Sequence, residues 1–222
     1  MQTSRGENKM ELQGWMVSRP ALSHHSYGVE YYVVPMAVPR LSGTEDVLNV
    51  VVSRSLLNRW IPEPGRWARV EGQVRSFNNR SGVGSRLVIS VLARVLEPIP
   101  EGEGINHLEL AGVLCKPPIV RRTPLGREIC DLLLAVNRGY GRADYLPCIA
   151  WGSLAERCGE MQVGDSLHVL GRLQSRRYRK LVDGVEHSRT AYEVSVMTLV
   201  GETKPEASCV HGETASIGAS AE

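Results

Sequence analysis

The sequence predicts an all-β chain of two tandem small barrels with one short helix each, and three observations carry that reading. The first is an internal repeat. Leu12 to Trp60 lies over Leu110 to Cys158 without a gap, placing Gly14 on Gly112, Pro20 on Pro118, Gly28 on Gly126, Ala37-Val38 on Ala135-Val136, Arg40 on Arg138, Asp46 on Asp144 and Arg59 on Arg157. One extra residue later the match resumes, with Val70-Glu71-Gly72-Gln73-Val74-Arg75-Ser76 over Val169-Leu170-Gly171-Arg172-Leu173-Gln174-Ser175. A duplication of this length means two similar domains, so differences between the copies read as differences of role. The second observation is the run of β-branched and aliphatic segments in both copies, and the third is the single helix signal that interrupts them.

Taken in order, residues 1–9 (MQTSRGENK) read as a polar lead-in and 10–97 as the first domain. Glu30 to Val38, Val47 to Val52, Trp67 to Val74 and Leu87 to Val95 are its strands, and Gly14 falls early in the first strand, where a small barrel must bend sharply. Residues 98–104 (PIPEGEG) have the composition of a short linker. The second domain, 105–202, repeats the pattern with Glu128 to Val136, Ser166 to Leu173 and Ala191 to Val200. Ser153-Leu154-Ala155-Glu156 fits a capping box at its helix, with Ser55 in the place of Ser153 in the first copy. The tail, 203–222, is small, polar and aperiodic, the composition of a disordered segment. Three strands, a helix and two strands joined by a long polar hairpin match the five-stranded Greek-key barrel called the OB-fold.

Composition narrows the function classes. The formal net charge of the 222 residues is only +2, so local charge is the better guide. Arg172, Arg176, Arg177, Arg179 and Lys180 stand together without a carboxylate, and Lys116, Arg121, Arg122 and Arg127 form a second basic run. No apolar stretch approaches a membrane span and no signal-peptide core is present, so a cytoplasmic protein is expected. Five cysteines without a CxxC pair point to reduced thiols rather than zinc or disulfides. His24-His25 lacks a third ligand at suitable spacing, and no nucleophile, phosphate-loop or paired-carboxylate motif is found. No enzyme activity, metal or cofactor is expected.

Aromatic rings set among these cations suggest a sequence-tolerant binder of single strands, because any base can stack and any phosphate can release counterions. In the second copy, Asn106 to Gly112, Leu134 to Arg138, Asp144 to Glu156 and Gly171 to Tyr178 resemble the bacterial single-stranded DNA-binding proteins, nearly throughout the domain and in the right order. The resemblance implies that Tyr140, Tyr145, Trp151 and Tyr178 are the stacking candidates, and Arg138, Arg172, Arg176, Arg177, Arg179, Lys180, Arg121 and Arg122 are the cations expected to bind the nucleic acid beside them. It also implies service in DNA replication, recombination or repair. A homodimer with four barrels is expected, in a bacterial, nucleoid-associated or mobile-element setting. Tyr145, Pro147, Ile149 and Trp151 share one face of their strand, and for Trp151 core packing and base stacking both stand as readings. Tyr192, in the last strand, reads as structural.

In the first copy Ser42, Val47, Ser53 and Asn79 occupy the places of Tyr140, Tyr145, Trp151 and Tyr178. Of its own aromatics only Phe77, in a hairpin with Arg75, Arg80 and Arg86, is a stacking candidate, so the first domain is expected to contribute less affinity. The chain ends IGASAE, without the acidic tip by which many members of the resembled family recruit other enzymes, and that route is in doubt. Two alternatives remain open: a primosome-type accessory or interaction module on the same barrel, and a binder of single-stranded RNA.

Overall fold

The computed structural model describes residues 7–79, 86–139, 141–182 and 185–201. Tyr140, Arg80, Cys209, the side chain of Lys180 and the expected tail lie outside the described residues. β1 (Asn8–Met16), β2 (Ala21–Ser26), β3 (Val29–Pro39), β4 (Glu45–Ser53), α1 (Arg54–Leu57), β5 (Trp67–Asn78) and β6 (Leu87–Pro98) make the first barrel. The second consists of β7 (Ile105–Leu114), β8 (Ile119–Arg122), β9 (Glu128–Asn137), β10 (Ala143–Trp151), α2 (Ser153–Gly159), β11 (Ser166–Val182) and β12 (Val185–Leu199).

Each barrel closes as a ring of five strands. The first runs β1, β3, β4, β6, β5 and back to β1, with β4 and β6 parallel and every other pair antiparallel. The second repeats it as β7, β9, β10, β12, β11, with β10 and β12 parallel. This is the OB topology expected from the sequence, with β2 and β8 added as short edge strands. Alternation fills the interiors: Leu12, Met36, Leu48, Val50, Val70 and Val91 in one, and Leu110, Leu134, Leu146, Ala150, Val169 and Val194 in the other. Cys130, Cys148 and Cys158 join the second core as free thiols, and burial pushes Cys158 up to about 11.

Three boundaries differ from the sequence reading. Asn8 lies inside the expected lead-in yet is buried in β1, because its side-chain amide donates to the Val74 carbonyl (2.8 Å) and accepts the Val74 N–H (2.9 Å). The stretch expected as a linker opens within β6 and stays on the first barrel, with the Ile99 N–H donating to the Trp67 carbonyl at 3.1 Å. The capping box is not formed. β10 turns into α2 at Gly152, whose positive φ of 57° places its own carbonyl to accept the Ala155 and Glu156 N–H groups, so Ser153 falls into the first turn.

The barrels are joined by antiparallel pairing of β1 with β7, which makes one twelve-stranded sheet. Met10 faces Leu108, its counterpart in the repeat, while Asn8 faces Leu110 and Leu12 faces Asn106. The register therefore defines a local two-fold axis through the Met10/Leu108 pair. Asn106 bonds both backbone groups of Leu173 as Asn8 does those of Val74.

Two fully buried carboxylates complete the junction. Asp46 accepts from Arg40 Nε (2.7 Å) and, across the junction, from the Ser175 N–H (2.7 Å). Asp144 accepts from Arg138 Nε (2.6 Å) and, across the junction, from the Ser76 N–H (2.5 Å) and Arg75 Nη1 (3.0 Å). The serine hydroxyls reciprocate: Ser175 Oγ accepts the Val47 N–H at 3.1 Å and Ser76 Oγ accepts the Tyr145 N–H at 2.8 Å. Burial alone would raise the Asp144 carboxyl, but the bonds from Arg138, the Ser76 N–H and Arg75 outweigh it and hold the group below its ordinary value.

Two predictions follow from this packing. A Cβ on Gly14 would sit 2.1 Å from the Ala37 carbonyl oxygen, against 2.9 Å from that of Ala135 for Gly112. Gly14→Ala should therefore lower stability by about 1–3 kcal/mol in urea unfolding, and Gly112→Ala by less. Because the folded pKa of Asp144 is depressed, the stability it contributes is present above the unfolded value near 3.9 and is lost as pH falls through the folded one. Asp144→Asn should cost about 3–5 kcal/mol at neutral pH and flatten the loss below about pH 4, both measured by thermal unfolding across pH.

Candidate nucleic-acid interface

The parity of β10 places the candidate surface. Asp144, Leu146, Cys148 and Ala150 point inward, so Tyr145, Pro147, Ile149 and Trp151 lie together on the outer face. Tyr145 is 50% exposed and Trp151 37%, which removes core packing as the reading of Trp151. Beside Trp151 is a groove of about 740 Å³. Ile129 and Ile149 form an apolar floor, and the walls carry Arg121 of β8, Arg127 of the following turn, and Arg172 and Arg176 of β11. Arg40 reaches the same groove from the first barrel. Among the described residues Glu193 is its one lining carboxylate, and it accepts from Gln174 Nε2 at 2.7 Å.

The cations singled out in the sequence fall into distinct settings. Arg121 is held by Asp131 (Nη2 to Oδ1, 3.1 Å), Arg122 by Glu128 (2.8 Å) and Arg179 by Glu186 (3.5 Å). Arg122 and Arg179 remain exposed but do not line the groove, and Arg177 is exposed further along β11. The Arg176 guanidinium lies over the ring of half-buried Tyr178, 5.7 Å from its centroid. Arg138 is turned into the barrel junction, where it holds Asp144 and donates to the Ser76 carbonyl at 2.9 Å. Its first role is structural. Tyr192 accepts from Asn49 Nδ2 across the junction at 3.3 Å, in keeping with its structural reading.

Sequence reasoning left Arg40 and Arg127 out of the binding set. The signal for Arg40 was the repeat itself, which lays it on Arg138, but only the junction shows that a residue of the first barrel borders the aromatic face of the second. In the first barrel, the Val47 side chain stands where Tyr145 offers a ring, while Phe77 on β5 is 54% exposed.

Among the described residues the adjacent histidines fall in no cluster of three potential metal ligands. Both lie on exposed β2, where His24 stacks on Tyr31 (centroids 5.0 Å, 9° between planes) and His25 lies 3.6 Å from Glu30. Glu7, Glu109 and His168 do converge, with His168 Nε2 2.9 Å from Glu109 and 3.3 Å from Glu7. The Lys9 ammonium, 3.4 Å from Glu7 and 3.2 Å from Glu109, supplies the cation that these carboxylates would otherwise recruit. Among the described residues no helix is long and apolar enough to cross a membrane.

Comparison with known proteins agrees with this fold. Residues 105–200 match the model of the single-strand binding protein family. The chain is 29% identical over 201 residues to the single-stranded DNA-binding protein of Thermus aquaticus, covering 77% of this chain and 76% of that one. It is 36% identical over 81 residues to single-stranded DNA-binding protein 2 of Listeria innocua, covering 33% of this chain and 51% of that one. The crystal structure of the wild-type Thermus aquaticus protein superposes with a TM-score of 0.72 at 26% identity, covering 90% of this chain and 95% of that one. The family match covers the second barrel and the superposition extends across both, so the chain is similar to the single-strand binding proteins in a form with two tandem OB barrels.

Proposed function

We propose that the protein binds single-stranded DNA with little sequence preference and serves in DNA replication, recombination or repair. The observation that carries this reading is the exposed Tyr145 and Trp151 pair on one outer strand face, beside an arginine-walled groove. Rings offer a stacking surface to any base, and arginines follow the backbone irrespective of sequence. The relatives named as single-stranded DNA-binding proteins support the same reading.

On this reading Tyr145, Trp151 and Tyr178 stack bases, while Arg121, Arg172, Arg176 and Arg177 carry phosphates. Arg122 and Arg179 add a diffuse positive field from the rim. Tyr140, from the sequence resemblance, and Phe77, from its exposure, extend the set. The protein acts by binding, without a chemical step. Two chains assemble as a homodimer to give four barrels, an arrangement that closed two-fold symmetry favours; a monomer in light scattering at micromolar concentration would overturn it.

Binding to oligothymidylate should weaken linearly on log–log axes as salt rises, with a slope of about −0.7 per phosphate contacted, and should exceed binding to matched duplex DNA and single-stranded RNA. Equal or tighter binding of duplex sinks the proposal. Trp151→Ala and Tyr145→Ala should each cost about 1–3 kcal/mol of affinity in fluorescence titration, and Phe77→Ala clearly less. Replacing Arg176 and Arg177 together with glutamine should flatten the salt slope.

A further inference from the structure

The two ends of the barrel junction are related by the local two-fold axis, yet they place their arginines differently. At Asp144 two guanidinium groups are consumed, because Arg75 adds to Arg138 on the same carboxylate. At Asp46 the counterpart of Arg75 is Gln174, which turns away to Glu193, so Arg40 and the Ser175 N–H are the groups that satisfy the carboxylate. The additional cation at this end is instead Arg172, where the first barrel has Gln73. Its Nε is buried and meets no acceptor among the described residues. Burial, and then the like charge of Arg40, push the Arg172 guanidinium below its ordinary value, with Asp46 offsetting them only in part. A buried guanidinium donor without an acceptor, beside a second arginine in an open groove, is a site short of one anion.

We propose that Arg172 and Arg40 together form a backbone-phosphate subsite at the barrel junction, so that a single strand bound along the second barrel is also gripped by the first. The inference rests on the reading of the protein as a binder of single-stranded DNA. A nucleic-acid phosphate is favoured as the occupant because the same groove presents Trp151 over an apolar floor of Ile129 and Ile149. That combination offers a base and its phosphate one place each. The Asp144 end offers no such vacancy, since Arg75 is spent on the carboxylate. The difference gives a physical reason for unequal work by two barrels of the same fold.

The test uses the full chain and Arg172→Gln, which installs the residue that the first barrel carries at the matching position. Binding to oligothymidylate is measured across salt, with Arg19→Gln, whose guanidinium pairs with Glu63 outside the groove, as the control. Arg172→Gln should keep the parent's thermal stability, bind roughly tenfold more weakly at low salt, and lower the magnitude of the salt slope by about 0.7. Arg19→Gln should match the parent. An unchanged slope in Arg172→Gln overturns the subsite. Arg40→Lys keeps a cation against Asp46 and completes a double-mutant cycle with thermal unfolding followed in parallel; non-additive losses support a shared phosphate, and additive ones overturn the share of Arg40. Inorganic phosphate is the second probe. If it stabilises the parent but not Arg172→Gln, while both bind oligothymidylate alike, the site holds a free anion and the strand assignment fails. If the parent itself does not bind oligothymidylate, the proposed function falls, and this inference with it.

Discussion

Everything about the candidate surface depends on one antiparallel pairing, that of β1 with β7. Because Met10 meets its own repeat counterpart Leu108, the pairing is symmetric, and every contact made on one side of that axis is offered again on the other. The buried carboxylates use this symmetry. Asp46 secures Ser175, and Asp144 secures Ser76, each with an arginine of its own barrel beside it. Such pairs bring little net stability over an apolar junction, but leaving any member alone is costly, so they specify one docking geometry. A rigid geometry is what allows a side chain of one barrel to border the binding face of the other.

On that symmetric frame the two copies have diverged where solvent meets the strands. The inward residues of β4 and β10 keep the same character, with Leu48 and Val50 opposite Leu146 and Cys148. The outward positions do not: Val47 and Ser53 stand against Tyr145 and Trp151. Selection on the interior follows from packing, since each barrel needs its apolar volume filled. The outer face has no such requirement, so the aromatic residues there are free to serve the proposed binding of single strands.

Much of this was legible in the sequence. The repeat gave both barrels their strand order, the parity of β10 gave the shared face of Tyr145 and Trp151, and the polar run of β11 gave Arg172 and Arg176. What remained hidden was non-local. Arg138 reads as one more cation near an aromatic loop, and only the folded junction shows its charge taken up by Asp144 and Ser76. Asn8 reads as the end of a polar lead-in, because its two hydrogen bonds go to a residue far along the chain. The capping signal failed for a local reason instead: a glycine able to adopt positive φ sits just before Ser153 and takes the turn that the serine would have capped.

Position in the repeat also separates two kinds of arginine that composition treats alike. Arg40 and Arg138 stand at matching positions and each holds a buried carboxylate, so that contact is structural in both barrels, while Arg40 also borders the groove. Arg172 and Arg176 stand where the first copy has Gln73 and Phe77. Neither is needed to close a barrel, since the first barrel closes without them. Charges that a fold does not need, gathered in a groove with an exposed tryptophan, mark the surface on which the two copies differ in chemistry and where the proposed binding would fall unequally on them.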